Sequence, residues 1–412
     1  MQPAMRARQP DAQRQQGGAI VGAWRPARVQ RGRPAAAQRP RAASNPGAIT
    51  HVAATAPAPG LLSFDRDSVD SMGVALAPPN ARPIVLLPGF GNCSDDYETP
   101  FGCAEEGLAT QLRERGWHVE VMDLQRKHWF NVARSLLTLG VWRGALTTDP
   151  GYSWYIQRIA DAVLRAQEAT GADQVHLLGH SAGGWLGRAF IGGAHGSGVE
   201  AGAGDSHAPL RPHPAVSSLT TLGTPHRPAR QRGERRGKAP DMTGGALGWV
   251  DALWPGAAFA DAHGVDYVAV AGRSVRGCSR AVRGRGHSLS GYAHAAYMQV
   301  SGEGEVWGDC VVPTACATLD GATNLVLDGV RHSMAAIGSF DARGDRDHLW
   351  YGSREVLDAW LYHVAAFDAP PEARMRRRAS GAGGAAAVAQ PAIVLPAGAA
   401  AAAAAAAVEG GA

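Results

Sequence analysis

The sequence predicts an α/β fold, in which a doubly wound, mostly parallel sheet carries helices on both faces and a cap or lid insertion. From about residue 82 to residue 367, short apolar runs rich in β-branched residues alternate with helical runs, a pattern typical of parallel sheets. In addition, Gly179-His180-Ser181-Ala182-Gly183 directly follows the apolar run 175–178. This order predicts a strand, a sharp turn and a helix, with the serine held on the turn.

Six runs are predicted to be strands because they are apolar or β-branched and are bounded by turn residues. They span residues 83–87, 119–123, 174–178, 217–222, 266–271 and 324–327. Four further runs are predicted to be helices, from apolar residues spaced three or four apart or from their position directly after the turn. They span residues 104–115, 153–170, 182–191 and 353–366.

The folded domain is predicted to span residues 80–367, with insertions at 192–214 and 226–262 that lack this rhythm. The second insertion would supply the cap. Within it, residues 227–238 carry six basic residues and one acidic residue. Two interpretations of this run stay open: peripheral contact with an anionic membrane surface, or a solvated loop.

Both ends of the chain differ from the middle in composition. Residues 1–50 contain nine arginines, no lysine and one acidic residue, a balance of +8 against a net charge of +4 for all 412 residues. A start rich in Arg and Ala but poor in acids is typical of an organellar transit peptide. We therefore interpret residues 1–58 as an address for the chloroplast, with the mitochondrion as one alternative and a solvated extension of a cytoplasmic protein as another. Residues 371–412 are predicted to be a disordered Gly- and Ala-rich tail without a function.

Several classes of partner and cofactor are not predicted. The positive charge is concentrated in residues 1–50, so the net charge gives little reason to expect nucleic-acid binding. The five cysteines include no C-x-x-C pair, which disfavours a disulfide framework and a structural zinc site. No run of 18 strongly apolar residues indicates a transmembrane helix. Neither a metal nor an organic cofactor is expected.

Ser181 is the predicted nucleophile, and a serine needs a histidine base and a carboxylate that orients this base. When the serine lies on such a turn, the acid and then the histidine are expected beyond late strands. Asp309 follows Trp307-Gly308, and His332 follows the last predicted strand. We therefore predict Asp309 as the orienting acid and His332 as the general base. Asp320 and Asp328 are alternative acids.

A tetrahedral oxyanion needs two backbone N–H donors, and the sequence offers a candidate for each. The first is Ala182, the residue after the nucleophile. The second is Phe90, in the loop after the first predicted strand, where Gly89 and Gly91 let the main chain approach a substrate closely. These two glycines are therefore also predicted to contact the substrate.

Three more residues near the motifs have predicted positions. Trp185 is expected to contact the substrate, as one of several aromatic residues of an acyl pocket. His226 closes the strand after the turn and is expected either to line the pocket or to act as a lid hinge. His180 is expected to point away from the serine hydroxyl, as packing or as a hydrogen-bonded scaffold.

Five short motifs spread over residues 87–333 carry a family resemblance. They are L-P-G-F-G at 87–91, G-H-S-A-G-G at 179–184, L-G-T-P-H at 222–226, G-D at 308–309 with V-P at 312–313, and G-V-R-H-S at 329–333. Together they resemble the lipase and esterase branch of the α/β-hydrolase superfamily, and are most similar to a plant, algal and cyanobacterial group related to GPI inositol-deacylases and triacylglycerol lipases. The resemblance covers about residues 80–367. It implies a fold of the α/β-hydrolase type and a triad of Ser181, Asp309 and His332.

The expected function is hydrolysis of a lipid or another apolar ester through an acyl-enzyme on Ser181. The chain departs from the animal GPI inositol-deacylases in its long insertions and in lacking their multiple membrane helices, so action on GPI anchors is not expected. An acyltransferase or a thioesterase with the same triad is the alternative enzyme. A catalytically silent protein of the same fold that binds a small ligand is the alternative outside enzymes.

Overall fold

The computed structural model describes residues 61–64, 73–194, 211–228, 242–279, 288–334 and 348–368. The transit peptide predicted at 1–58 and the tail predicted at 371–412 lie outside these ranges. Residues 195–210, which form most of the first insertion, lie outside them as well. So do residues 229–241, which contain the basic run of the second insertion except for Arg227 and Pro228. These predictions stay predictions.

Strands in the described ranges form two sheets. The strands are β1 (Leu61–Phe64), β2 (Ile84–Leu87), β3 (Val119–Val121), β4 (Val175–His180), β5 (Val216–Leu222), β6 (Asp266–Arg273), β7 (Val275–Arg276), β8 (Trp307–Gly308) and β9 (Thr323–Asp328). Seven of them form the main sheet, in the order β1-β9-β6-β5-β4-β2-β3, and every neighbouring pair is parallel. Strands β7 and β8 form a separate antiparallel pair.

Helices connect these strands. They are α1 (Asp95–Glu98), α2 (Leu108–Glu114), α3 (Leu139–Arg143), α4 (Ser153–Thr170), α5 (Ala182–Ile191), α6 (Ala246–Leu253), α7 (Ala260–His263), α8 (Leu289–Ser301) and α9 (Arg354–Phe367). A 3₁₀ helix spans Arg126–Leu137 between β3 and α3. No helix in the described ranges has the length and apolar character that crossing a membrane requires.

The main sheet is covered on both faces, because the side chains of successive strand residues point to opposite sides. Along β2, Val85 and Leu87 belong to one buried cluster, which includes residues of α4 and α5. The alternate residues Ile84 and Leu86 belong to the other cluster, which includes residues of α2 and α9. The structure therefore confirms the predicted doubly wound, parallel α/β fold.

The predicted elements agree with the structure where the sequence pattern is strongest. All six predicted strands are present, with ends shifted by at most two residues, and the predicted helices 153–170 and 182–191 have the predicted bounds. The predicted helix 104–115 is divided into a 3₁₀ turn and α2. Between β5 and β6, the described part of the second insertion contains α6 and α7. Leu247 and Val250 of α6 are buried in the cluster that contains α4 and α5.

Several elements were not predicted. Strand β1 lies before residue 80 and pairs with β9, so the main sheet begins earlier than the predicted domain boundary. Helix α8 packs on the small β7–β8 sheet through Ala293 and Tyr297, and its sequence has little apolar periodicity. Strands β7 and β8 have two residues each, too few for a period of two to be recognised.

Candidate active site

Ser181 lies on a strained turn between the end of β4 and the start of α5. Its φ of 51° and ψ of −120° are unusual for a residue with a side chain. The strand and the helix approach each other so closely that side chains at the flanking glycines would collide. A Cβ added at Gly179 would lie 2.5 Å from the Cα of Gly184, and one at Gly183 would lie 2.3 Å from the carbonyl oxygen of Leu87. The glycines of the motif are therefore required by this close packing.

The loop after β2 lies directly against the nucleophile. A Cβ added at Gly89 would lie 2.9 Å from the Cβ of Ser181. Ala182 is the first residue of α5, so its N–H has no acceptor within the helix. In the part of the chain that the structure describes, the N–H of Phe90 makes no hydrogen bond to a main-chain acceptor. Both predicted oxyanion donors therefore have N–H groups available, in the two segments that meet at Ser181.

Two buried tyrosines hold this loop in place. The hydroxyl of Tyr97 accepts hydrogen bonds from the N–H of Gly89 and from Asn92 Nδ2, both at 2.9 Å. The hydroxyl of Tyr155 donates to the carbonyl oxygen of Pro88 at 2.6 Å. Burial raises the pKa of both tyrosines, so both hydroxyls stay protonated and neutral. Neither tyrosine was predicted, because nothing in the local sequence pattern marks a tyrosine that bonds to a distant loop.

Asp309 and His332 form a buried acid–base pair at the carboxyl end of the sheet. Asp309 is fully buried, and its Oδ2 lies 2.7 Å from His332 Nδ1. The same oxygen accepts a hydrogen bond of 2.8 Å from the hydroxyl of Tyr351. The other oxygen, Oδ1, accepts the N–H groups of Val311 and Val312 at 3.0 and 2.7 Å. Each oxygen of the Asp309 carboxylate therefore has two hydrogen-bond partners.

These contacts keep the carboxyl group ionised. Burial alone would raise the pKa of Asp309, but the charge of His332 and the hydrogen bonds from His332, Val312 and Val311 lower it. The net effect is a pKa below the usual range for aspartate. An ionised Asp309 accepts the Nδ1–H of His332, which leaves Nε2 of the neutral imidazole as a proton acceptor.

The small β7–β8 sheet and helix α8 set the position of the acid. Asp309 directly follows β8, and the hydroxyl of Tyr297 on α8 accepts the N–H of Cys310 and donates to the carbonyl oxygen of Val275, both at 2.9 Å. The main sheet approaches from the other side. A Cβ added at Gly272, on β6, would lie 2.9 Å from the Cβ of Asp309. The acid is thus held between the two sheets.

The two alternative acids pair with arginines and not with His332. Asp328 forms an exposed ion pair with Arg273, in which the shortest distance is 2.5 Å. Asp320 pairs with Arg227 at 2.5 Å, and its side chain is 85% exposed. Of the three candidates, the structure brings only Asp309 into contact with His332.

No hydrogen bond joins Ser181 to His332 in the described part of the chain. Within the described residues, the Ser181 hydroxyl has no hydrogen-bond partner. His180, the residue before Ser181, lies beside His332, with the two ring centroids 4.9 Å apart. Catalytic hydrogen bonds are often long without substrate and shorten when substrate binds. The bond between Ser181 and His332 is therefore expected to form in the substrate complex.

His180 links the oxyanion loop to the histidine loop. Its Nδ1 lies 2.7 Å from the hydroxyl of Tyr97, and its Nε2 lies 2.8 Å from the carbonyl oxygen of His332. Because a carbonyl oxygen only accepts, Nε2 carries the proton and Tyr97 donates to Nδ1. Burial, followed by the nearby charge of His332, lowers the pKa of His180 to about 3. His180 is thus the hydrogen-bonded scaffold that the sequence suggested, and it connects the two halves of the site.

Changing His180 to Phe is expected to flatten the pH dependence of stability below pH 7. An unfolded histidine titrates near pH 6.5, while the folded His180 stays neutral down to about pH 3. The unfolded state therefore binds more protons, and the free energy of unfolding of the wild type should fall by roughly 3 kcal/mol between about pH 6.5 and pH 4 from this residue alone. Urea titrations of both proteins at several pH values measure this slope.

The control for this comparison is His118→Phe, because His118 is exposed on the surface. That variant should keep the slope of the wild type. Equal slopes in the wild type and His180→Phe would show that His180 is not held neutral in the folded protein.

Two predicted substrate contacts, Trp185 and His226, lie in the interior. Trp185 is 2% exposed, and its ring packs edge-on against Tyr152 with a centroid distance of 5.0 Å. His226 is fully buried, and its Nε2 lies 3.0 Å from Thr221 Oγ1. Their contact with substrate stays a prediction. Across the described ranges, no group of His, Cys, Asp and Glu side chains is arranged to bind a metal ion.

Comparison with known proteins gives similarity to solved structures alone. No family model matches the chain, and no curated protein sequence does. The mature lipase BlEst2 of Bacillus licheniformis is 19% identical with a TM-score of 0.35, over 63% of this chain and 88% of that one. Phospholipase PlaB of Legionella pneumophila is 13% identical with a TM-score of 0.37, over 71% and 60%. Esterase B of Lactobacillus rhamnosis is 14% identical with a TM-score of 0.33, over 74% and 80%.

These similarities are too weak to assign an activity, because all three TM-scores are below 0.5. The resemblance to the plant, algal and cyanobacterial group stays a prediction. The chemistry of the site has to follow from its own residues.

Proposed function

We propose that this chain is a serine ester hydrolase that forms an acyl-enzyme on Ser181. The main support is the buried contact of 2.7 Å between His332 Nδ1 and Asp309 Oδ2, next to a serine on a strained turn. A histidine held in this way presents Nε2 as a base, which a serine hydroxyl needs to become a nucleophile. The described site suits proton transfer and acyl transfer.

In the proposed reaction, His332 Nε2 takes the hydroxyl proton of Ser181 while Oγ attacks the ester carbonyl carbon. The N–H groups of Ala182 and Phe90 donate to the oxyanion that forms. His332 then gives the proton to the leaving alcohol oxygen as its bond to carbon breaks, and the acyl group remains on Ser181. A water molecule next gives a proton to His332, attacks the acyl carbon and releases the free acid, while Ser181 regains its proton.

The substrate that we propose is a lipid or another apolar ester. Phe90, whose N–H is a proposed oxyanion donor, is 57% exposed, and its ring centroid lies 4.8 Å from that of Trp129. An apolar group bound beside the oxyanion donors would cover this ring and remove apolar surface from water. An acyltransferase or a thioesterase would use the same residues and would differ in the acceptor or in the leaving group.

Labelling with a fluorophosphonate probe tests the proposal, because such probes react with activated serines. We expect modification of purified protein at Ser181, located by mass spectrometry of peptides, together with hydrolysis of a short p-nitrophenyl ester. Repeating the reaction with a long-chain alcohol distinguishes hydrolysis from acyl transfer, since transfer forms a new ester in place of free acid. Folded protein that carries no label on Ser181 would contradict the proposal and favour a protein that only binds a ligand.

A further inference from the structure

Residues 126–143, between β3 and α4, expose large apolar side chains. This segment, called here the 126–143 segment, consists of the 3₁₀ helix Arg126–Leu137 and helix α3. Leu137 is 90% exposed, Phe130 80%, Leu139 70% and Leu136 55%. Single exposed apolar side chains are common, whereas four within ten residues form a patch of the kind found at interaction surfaces.

The segment is fixed to the oxyanion loop by a buried tryptophan. Trp129 is 6% exposed, and its Nε1 donates a hydrogen bond of 2.9 Å to the carbonyl oxygen of Asn92. Its ring also packs on Phe90 and on Tyr155, with centroid distances of 4.8 and 5.3 Å. The segment with the exposed apolar residues is therefore held beside the loop that carries the proposed oxyanion donor, through the contact of Trp129 with the exposed ring of Phe90.

The charge of this segment favours an anionic partner. Residues 124–148 contain four basic residues, Arg126, Lys127, Arg134 and Arg143, and no acidic residue. Arg126 pairs with Asp96. Lys127, Arg134 and Arg143 are exposed and form no ion pair within the described ranges. Exposed Phe and Leu side chains among basic residues are typical of segments that lie in the headgroup region of an anionic membrane.

We propose that the 126–143 segment docks this protein on an anionic lipid surface, with Phe130, Leu137 and Leu139 inserted between the headgroups. The role of this docking rests on the proposed function, because docking there would bring Ser181 to esters within a membrane. The docking itself needs no catalysis. It concerns a different stretch of the chain from the basic run 227–238, for which the sequence left membrane contact open.

Vesicle co-sedimentation of the Ser181→Ala protein tests the inference without hydrolysis of the lipid. The vesicles are phosphatidylcholine alone or a mixture of phosphatidylcholine and phosphatidylglycerol. We expect binding to the mixed vesicles that weakens with added salt, and little binding to the neutral ones. Adding Phe130→Ser, Leu137→Ser and Leu139→Ser should weaken binding at least about tenfold, because these side chains supply the inserted apolar surface.

The matched control changes three exposed apolar residues elsewhere, Val74→Ser, Leu164→Ser and Met298→Ser, and should bind as strongly as the parent protein. Circular dichroism and hydrolysis of a water-soluble ester, with Ser181 restored, show whether the three changes in the segment leave the fold intact. Full binding by the segment variant would overturn the inference. So would a parent protein that forms dimers which the segment variant abolishes, since the patch would then bind a second copy.

The two proposals fail in different ways. Vesicle binding that depends on the segment, in a protein whose Ser181 takes no fluorophosphonate label, would support the docking surface and contradict the proposed reaction. A protein that is labelled at Ser181 and hydrolyses the ester but does not bind anionic vesicles would support the proposed reaction and contradict the docking surface.

Discussion

Replacing Ser181 by alanine is expected to lower kcat for ester hydrolysis by a factor on the order of 10⁵ to 10⁶, because no acyl-enzyme can form. The substitution removes one oxygen atom and leaves the backbone turn occupied by a residue of similar size. Within the described ranges that oxygen makes no hydrogen bond, so its loss should cost little stability. Hydrolysis of a p-nitrophenyl ester by the purified variant measures the effect, and the temperature midpoint of unfolding shows that the fold is kept.

Ser279→Ala is a suitable control, because Ser279 is exposed and pairs with Glu305 away from the site. It should retain the activity of the wild type. If Ser181→Ala hydrolysed the ester at the rate of the wild type, the nucleophile would have to be another group, and the proposed reaction would be wrong.

Replacing Asp309 by asparagine has the second largest expected effect, a fall in kcat by about 10⁴-fold. The amide nitrogen would donate toward His332 Nδ1, where the carboxylate now accepts. The imidazole would then carry its proton on Nε2, the nitrogen that acts as the base in the proposed reaction. It could no longer accept the proton of the Ser181 hydroxyl. Because asparagine has nearly the same shape, the hydrogen bonds from Val311 and Val312 to the remaining oxygen can persist.

The matched control is Asp328→Asn, which removes the charge of the alternative acid nearest to His332 in the sequence. Its exposed ion pair with Arg273 should contribute at most about 1 kcal/mol to stability and nothing to the reaction. If Asp328→Asn lost activity while Asp309→Asn kept it, the orienting acid would have been assigned to the wrong residue.

Local sequence patterns were sufficient to predict the helices and strands that bury one continuous face. Helix α4 has apolar residues spaced along one face and ends at Gly171, whose φ of 70° suits glycine, so both its bounds were predictable. The same holds for the central strands β4 and β5, which are buried along their whole length and are rich in Val, Leu and the β-branched Thr. Helix α8 was not predicted, because only four of its thirteen residues are buried and its small residues show no clear helical periodicity.

The site was predictable to the extent that its residues belong to motifs. Ser181 was located by its flanking glycines, and Asp309 and His332 by their positions after late strands. The residues that hold these groups, Tyr97 and Tyr351, bond to partners far away in the sequence. Tyr351 is 42 residues from Asp309, and Tyr97 is 83 residues from His180. No local pattern encodes such pairings, since they arise only when the chain has folded.

Strand β1 has a practical consequence for how the protein is shortened. It covers one side of β9, which would otherwise form the edge of the main sheet. A shortened protein that starts at residue 80 would leave the side of β9 at residues 324–327 without the strand that pairs with it. Unpaired edges of this kind can pair with strands of other molecules. Recombinant versions should therefore begin ahead of Leu61 if the protein is to stay free of aggregates.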